Sequence, residues 1–144
     1  YGISTDRRDA RKRMLFARFG IQEFAQVRVR DLSTGMKQKV SLVISLVQDP
    51  EIIIFDEPTN GLDILTAKVV TDFLLDLKEQ GKTIIISTHI FSLVEKICDR
   101  VGIIINGRMA ACEDLWTLCG DKSLEDRFFE IYEAVNGEDE NHDK

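Results

Sequence analysis

The sequence predicts an α/β fold: part of a mainly parallel sheet with helices flanking it. Three observations carry this expectation. Ile52, Ile53, Ile54 and Phe55 form an apolar run with no alternation, the pattern of a strand covered on both faces inside a parallel sheet. Thr83 to Ser87, "TIIIS", is a second run of the same kind. Between them, Val69, Val70, Phe73, Leu74 and Leu77 recur at helical spacing from about residue 64 to 80, and Gly81 closes that helix. A strand, a helix and a strand make a βαβ unit, expected to be right-handed with its strands parallel.

The other elements follow in order. Ala10, Met14, Leu15 and Phe19 place a helix over residues 6 to 19, and residues 22 to 30 read as a turn or a short second helix. In "DLSTGMKQKVSLVISLVQDP" a helix begins at Ser33, its N-cap, and Pro50 follows its end. Its apolar stripe is read as Val40, Val43, Ile44 and Val47. Past the βαβ unit, Ile90, Val94 and Ile97 mark a short helix, and Val101 to Ile105 a third strand. Asn106 and Gly107 supply the two positive-φ positions of a tight hairpin to Arg108–Cys112. Two helices finish the chain, near 113 to 119 and from about 124 to 135, the second using Leu124, Phe128, Phe129 and Tyr132 as core residues.

Composition narrows the class. At 144 residues the chain is sized for one core of ordinary dimensions. Hydrophobic residues at 44% and charged residues at 31% match an average soluble protein. No apolar run approaches the ~20 residues that span a bilayer, and the first residues lack a signal peptide's apolar core, so a cytosolic chain is expected. Cys98, Cys112 and Cys119 have no CxxC spacing and read as three buried or inert thiols. Within the net charge of −6, residues 6 to 31 carry eight Arg or Lys against four Asp or Glu. Without aromatic residues in a stacking pattern, this basic stretch reads as a solvated helix face or a protein contact and not as a nucleic-acid arm. The end, "NGEDENHDK" (136 to 144), is polar and acidic and is expected to be disordered.

Candidate chemistry lies at the strand ends. Asp56 and Glu57 follow the first buried strand, where ligands of open α/β sheets sit, and adjacent carboxylates repel unless a cation or proton offsets them. Ser33, Thr34 and Gly35 open a helix, and unpaired N–H groups with a capping hydroxyl and a glycine that admits a close backbone approach suit a phosphate. Asp63 begins the next helix, and His89 follows the second strand. An Asp at a strand end can hold Mg²⁺ on phosphate oxygens through water. The adjacent Glu can orient or deprotonate an attacking water, and His89 can donate to transferred phosphoryl oxygens.

In that order and spacing the sequence resembles the nucleotide-binding domain of ABC transporters. "LSTGMKQ" resembles the signature motif, "IIIFDEP" the Walker B strand, "TNGLD" the D-loop and "STHI" the H-loop histidine. Thr34 and Met36 stand where the commonest signature, LSGGQ, has Gly and Gln. Within the family, "LSTGMKQK" and "DRVGIIINGRM" are most similar to bacterial exporters of the ABC-2 or sodium and drug export type. The resemblance implies a partial P-loop NTPase fold: a portion of the helical subdomain over residues 1–50 and the C-terminal part of the ATPase core over 51–135. It implies ATP and Mg²⁺ as ligands, a head-to-tail dimer with a second nucleotide-binding domain, a membrane-spanning partner and a place on the inner face of the membrane. By the same resemblance Glu57 and His89 are catalytic, Asp56 binds the metal, and Ser33, Thr34, Gly35 and Asp63 contact nucleotide.

A Walker A loop, GxxxxGK[ST], and a Q-loop glutamine are not found in these residues, so the chain is expected to be the C-terminal part of such an ATPase and inactive by itself. "GKT", Gly81 to Thr83, is a decoy, because a helix precedes it and a strand follows, the reverse of a P-loop. Two rival readings exist. One is the C-terminal lobe of an SMC or Rad50-type ATPase, which would follow a long coiled coil, and residues 1 to 31 show no sustained heptad. The other is a non-catalytic interaction module, against which the presence of both Glu57 and His89 argues.

Overall fold

A computed structural model of the protein describes residues 5–139. The chain forms two compact units, the first running to Thr88 and the second starting at His89.

The first unit opens with α1 (Thr5–Phe19), followed by two short 3-10 turns at Ile21–Phe24 and Val29–Asp31, where a turn or a short helix is expected. Helix α2 (Thr34–Leu46) begins as the sequence requires: the Ser33 side chain accepts from the Met36 N–H at 3.2 Å. Its buried stripe is Leu42, Val43 and Leu46, while Val40 and Val47 are half-buried and Ile44 is 67% exposed. "VSLVISLV" has enough apolar residues to draw two stripes, and α2 buries the one it turns toward α1 and the first 3-10 turn.

Two side chains of α1 tie it to the rest of the unit. Arg11 donates from Nε to the Leu46 carbonyl at 2.9 Å, where that carbonyl also accepts from the Asp49 N–H at 3.1 Å, and pairs with the Asp49 carboxylate at 2.9 Å. Arg18 pairs with Asp76 at 2.5 Å and lies 4.8 Å from the centre of the Phe73 ring, which Phe19 meets edge-on at 5.3 Å.

Strand β1 (Ile52–Asp56), α3 (Ile64–Glu79) and β2 (Thr83–Ser87) form the expected βαβ order, and β1 pairs with β2 in parallel from Ile52↔Thr83 to Asp56↔Ser87. Helix α3 buries Val70, Phe73, Leu74 and Leu77, with Val69 half-buried. A fully buried leucine such as Leu74 contributes about 2 kcal/mol.

The expectation that β1 is covered on both faces is corrected. Ile53 and Phe55 are buried, but Ile52 is 63% and Ile54 71% exposed, and Ile85 of β2 is 53% exposed. Helix α3 packs against β2, and among the described residues no element covers the face bearing these three isoleucines. The unalternating sequence therefore reports residues suited to two covered faces, of which one is covered here. Lys82, the lysine of the "GKT" decoy, follows α3 and precedes β2, pairing with Asp49 at 3.2 Å and Glu51 at 2.8 Å.

The second unit contains α4 (Phe91–Ile97), β3 (Arg100–Ile105), β4 (Arg108–Asp114), α5 (Leu115–Cys119) and α6 (Leu124–Asp139). Strands β3 and β4 form an antiparallel hairpin, with Asn106 and Gly107 at φ 50° and 75° as the tight turn demands. Its core joins Ile103, Ile105, Leu118 and Leu124, with Phe91 and Phe128 packed alongside. Phe129 and Tyr132, expected in that core, are 51% and 45% exposed, because α6 turns Phe128 inward and they flank it on its outer side. The start of α6 is capped by Glu95, which accepts from the Leu124 N–H at 2.7 Å, and by Ser123, which accepts from the Asp126 N–H at 3.0 Å.

Helix α6 continues past the expected end near 135, where Asn106 of the hairpin turn donates to Asn136 at 3.1 Å and ties that turn of helix down. The rest of the expected acidic tail, 140–144, lies outside the described residues. All three cysteines are free thiols, as the reading of buried or inert thiols expects; Cys98 and Cys119 are half-buried, and Cys112 is exposed on β4. Burial raises the Cys119 thiol pKa, with Glu95 adding to the effect.

Candidate functional site

The site grows from the carboxyl end of β1. Parallel pairing sets Asp56 directly opposite Ser87, and the ladder runs one step further, the Glu57 N–H donating to the Ser87 carbonyl at 2.8 Å. Two hydroxyls at the end of β2 therefore meet two carboxylates at the end of β1. Ser87 Oγ donates to Asp56 Oδ1 at 2.7 Å, and Thr88 Oγ1 donates to Glu57 Oε2 at 3.0 Å. Glu57 is half-buried and adopts φ 47°, in the left-handed region that side-chain-bearing residues seldom occupy. That turn bends the chain away from the strand as soon as the second carboxylate is placed.

Pro58 and Thr59 are buried beneath it, and the backbone folds back through Asn60 N–H to Glu57 O at 3.1 Å and Leu62 N–H to Thr59 O at 3.3 Å. Gly61 at φ 71° completes the bend. Asp63 then caps α3, accepting from the Thr66 N–H at 3.0 Å and from Thr66 Oγ1 at 2.7 Å. Those bonds, the hydroxyl's first, hold the Asp63 carboxyl below its ordinary pKa.

The same bend meets the start of α2. A methyl group on Gly35 would lie 3.9 Å from the Gly61 carbonyl oxygen and from Leu62 Cδ2, and one on Gly61 would lie 3.8 Å from Thr34 Cγ2. The structure thus brings Thr34 and Gly35 against the 61–62 bend, and Asp56 and Glu57 against Ser87 and Thr88. His89 opens the second unit two residues beyond β2 and is exposed. Sequence reasoning gave Ser87 and Thr88 no part; the available signal was the pairing itself, which puts two hydroxyls level with two carboxylates. A cleft of about 240 Å³ in the first unit, lined by Ala17, Gly20, Lys39, Leu65 and Thr66, includes neither Asp56 nor Glu57.

The donor set fits Mg²⁺ in a limited way. No cluster of three or more His, Cys, Asp or Glu is placed to hold a metal among the described residues. Mg²⁺ needs no such cage, since it commonly takes one or two carboxylates and fills its octahedron with water and phosphate oxygens. Asp56, exposed at the strand end, is such a carboxylate.

The family model described as "ABC transporter" matches residues 3–60. The ABC transporter ATP-binding protein NatA of Bacillus subtilis is 41% identical over 109 residues, covering 76% of this chain and 44% of that protein. This chain belongs to the ABC transporter ATP-binding proteins. It spans less than half the length of that curated relative. A solved ATP-binding subunit of an ABC transporter superposes with a TM-score of 0.85 at 31% identity, covering 91% of this chain and 57% of the other. A dimeric ATP-binding cassette in a post-hydrolysis state, bound to ADP and Pi, matches with a TM-score of 0.68 at 26% identity, covering 80% of this chain and 50% of that one. The partial P-loop NTPase fold of ABC ATPases is thereby shown for this ABC chain, and no helix among its described residues is long and apolar enough to cross a membrane.

Proposed function

We propose that this chain supplies the signature, Walker B, D-loop and H-loop parts of an ATPase subunit that hydrolyses MgATP in a head-to-tail dimer and drives export through a membrane-spanning partner. The observation that carries the reading is the pair Asp56 and Glu57, each held by its own hydroxyl donor at the carboxyl end of a parallel strand pair. Asp56 takes the metal, which when bound offsets charge on the phosphate oxygens. Glu57 orients the attacking water and accepts its proton, and His89 donates to the transferred phosphoryl oxygens.

Ser33, Thr34 and Gly35 face the γ-phosphate of nucleotide held by the second copy. The Ser33 oxygen accepts from Met36 and keeps its own proton to donate. Asp63, its carboxylate turned to Thr66, serves by fixing the bend against which that helix start rests. The solved dimeric cassette with ADP and Pi supports the dimer, and the resemblance to sodium and drug exporters supports export. The subunit works at the cytoplasmic face of the membrane, through its partner.

The test is Glu57→Gln in the whole ATPase subunit. ATP binding is expected to persist while hydrolysis falls about 10²- to 10⁴-fold, the usual contribution of a general base. Near-normal turnover would remove Glu57 from this role.

A further inference from the structure

We infer that Thr88 is a positioning residue for Glu57, fixing the rotation of its carboxylate toward the attacking water; this rests on the proposed ATPase reading. The backbone fixes only where the Glu57 side chain starts. Its N–H is bonded to the Ser87 carbonyl at 2.8 Å, and its φ is 47°. Three rotatable side-chain bonds lie beyond that point, and a base must hold its oxygen within hydrogen-bond reach of the water it activates.

The bond from Thr88 Oγ1 to Glu57 Oε2, 3.0 Å and partly buried, is a constraint at the far end of that side chain. A bond donated to a carboxylate is stronger than one between neutral groups, so a single hydroxyl suffices to select a rotamer. The constraint is separate from the one on Asp56, which accepts from Ser87 at 2.7 Å, so the neighbouring carboxylates are set by different donors. Thr88 and Glu57 are 31 residues apart in sequence, and the parallel pairing of β1 with β2 brings them together. Threonine suits the place because its branched Cβ restricts χ1, and with it the direction of the hydroxyl.

The test compares Thr88→Val, which keeps the shape and removes the hydroxyl, with Thr88→Ser, which keeps the hydroxyl, in the whole ATPase subunit. Loss of a hydrogen-bonding partner behind a catalytic group costs about 10- to 100-fold, so Thr88→Val should lower kcat by that factor with KM for MgATP nearly unchanged. Thr88→Ser should restore most of the rate. A cycle with Glu57→Gln separates the two proposals. If Thr88 acts through Glu57, Thr88→Val adds no further loss in the Glu57→Gln background.

A wild-type kcat in Thr88→Val, equal losses in the Val and Ser variants, or a multiplied loss in the double variant each overturns the inference. Full turnover by Glu57→Gln removes Glu57 from the base role and the inference with it, whereas no MgATP hydrolysis by the wild-type whole subunit overturns the ATPase reading itself. Should Thr88→Val fail to fold, Thr88→Ala, which removes the hydroxyl with less bulk, takes its place in every comparison.

Discussion

Thr66 donates twice to Asp63, from its backbone N–H at 3.0 Å and from its Oγ1 at 2.7 Å. One carboxylate therefore ends the bend that meets Gly35 and starts the helix that carries the core of the first unit. The ionised form accepts both bonds at once, one on each oxygen, and they lower its pKa from the ordinary 3.8. A depressed carboxylate contributes stability that is present above its unfolded value and lost as pH falls through the folded one. The Tm of wild type should thus fall more steeply below about pH 4 than that of Asp63→Asn, which keeps a cap but does not titrate. Parallel curves in a differential scanning series would refute the assignment.

Lys82 makes the opposite prediction at high pH. Its side chain is only 9% exposed, and the carboxylate of Glu51, followed by that of Asp49, raises its pKa above the ordinary 10.5 against the effect of burial. That stability is present below 10.5 and is lost as pH rises through the raised folded value. Glu51 is 83% exposed, so solvent screens part of the attraction. Lys82→Met should cost about 1 to 2 kcal/mol in urea melts at neutral pH, between the values for exposed and for buried pairs. An unchanged midpoint would mean that the contacts contribute nothing net.

His89→Ala should reduce hydrolysis by the whole subunit about 10²-fold or more, as loss of an oxyanion donor does, with nucleotide still bound. Asp56→Asn should instead raise the Mg²⁺ concentration needed for half-maximal rate. Steady-state assays across Mg²⁺ concentrations distinguish the two, and identical profiles would contradict the division of roles.

The face bearing Ile52, Ile54 and Ile85 is bare in the described residues. An apolar patch on a two-stranded sheet, with the far edge of β2 unpaired there, favours association. Residues 1–144 purified alone should self-associate and bind MgATP poorly. Light scattering should show larger species that Ile54→Lys disperses, and calorimetry little heat with MgATP. A stable monomer with micromolar ATP affinity would contradict this.

The basic stretch is partly spent inside the first unit, since Arg11 and Arg18 pair with Asp49 and Asp76. Outward charge remains on exposed residues of the stretch, among them Arg7, Arg8 and Arg13 of α1. Reversing these three should slow assembly with a membrane partner at low salt and leave soluble ATPase activity unchanged, because rim charges act mainly on association rate. Equal association rates at low salt would reduce the stretch to a solvated face.

Most elements were legible because caps and breakers are local. Ser33, Asp63, Gly81 and Asn106–Gly107 each specify a boundary through their own backbone chemistry, and β1, β2 and α3 fall where these residues put them. Burial was less legible. Ile52 and Ile54 look like core because their type records suitability for contact, while exposure depends on what lies opposite. In α2 the same surplus of apolar residues concealed which stripe turns inward. The site divided in the same way: Asp56 and Glu57 announce themselves by adjacency, whereas the hydroxyls of Ser87 and Thr88 join them only through a strand register that no short motif encodes.

The backbone at Glu57 sets two kinds of selection against each other. At φ 47° a residue with a side chain is disfavoured by roughly 1 to 2 kcal/mol relative to glycine, which has no Cβ to crowd the carbonyl. A screen that scores only solubility or survival of heating should therefore enrich Glu57→Gly, and a screen that scores growth dependent on export should purge it. Deep sequencing of one library under both regimes would show a single codon drifting in opposite directions, with neighbouring Pro58, buried and free of this conflict, held in both.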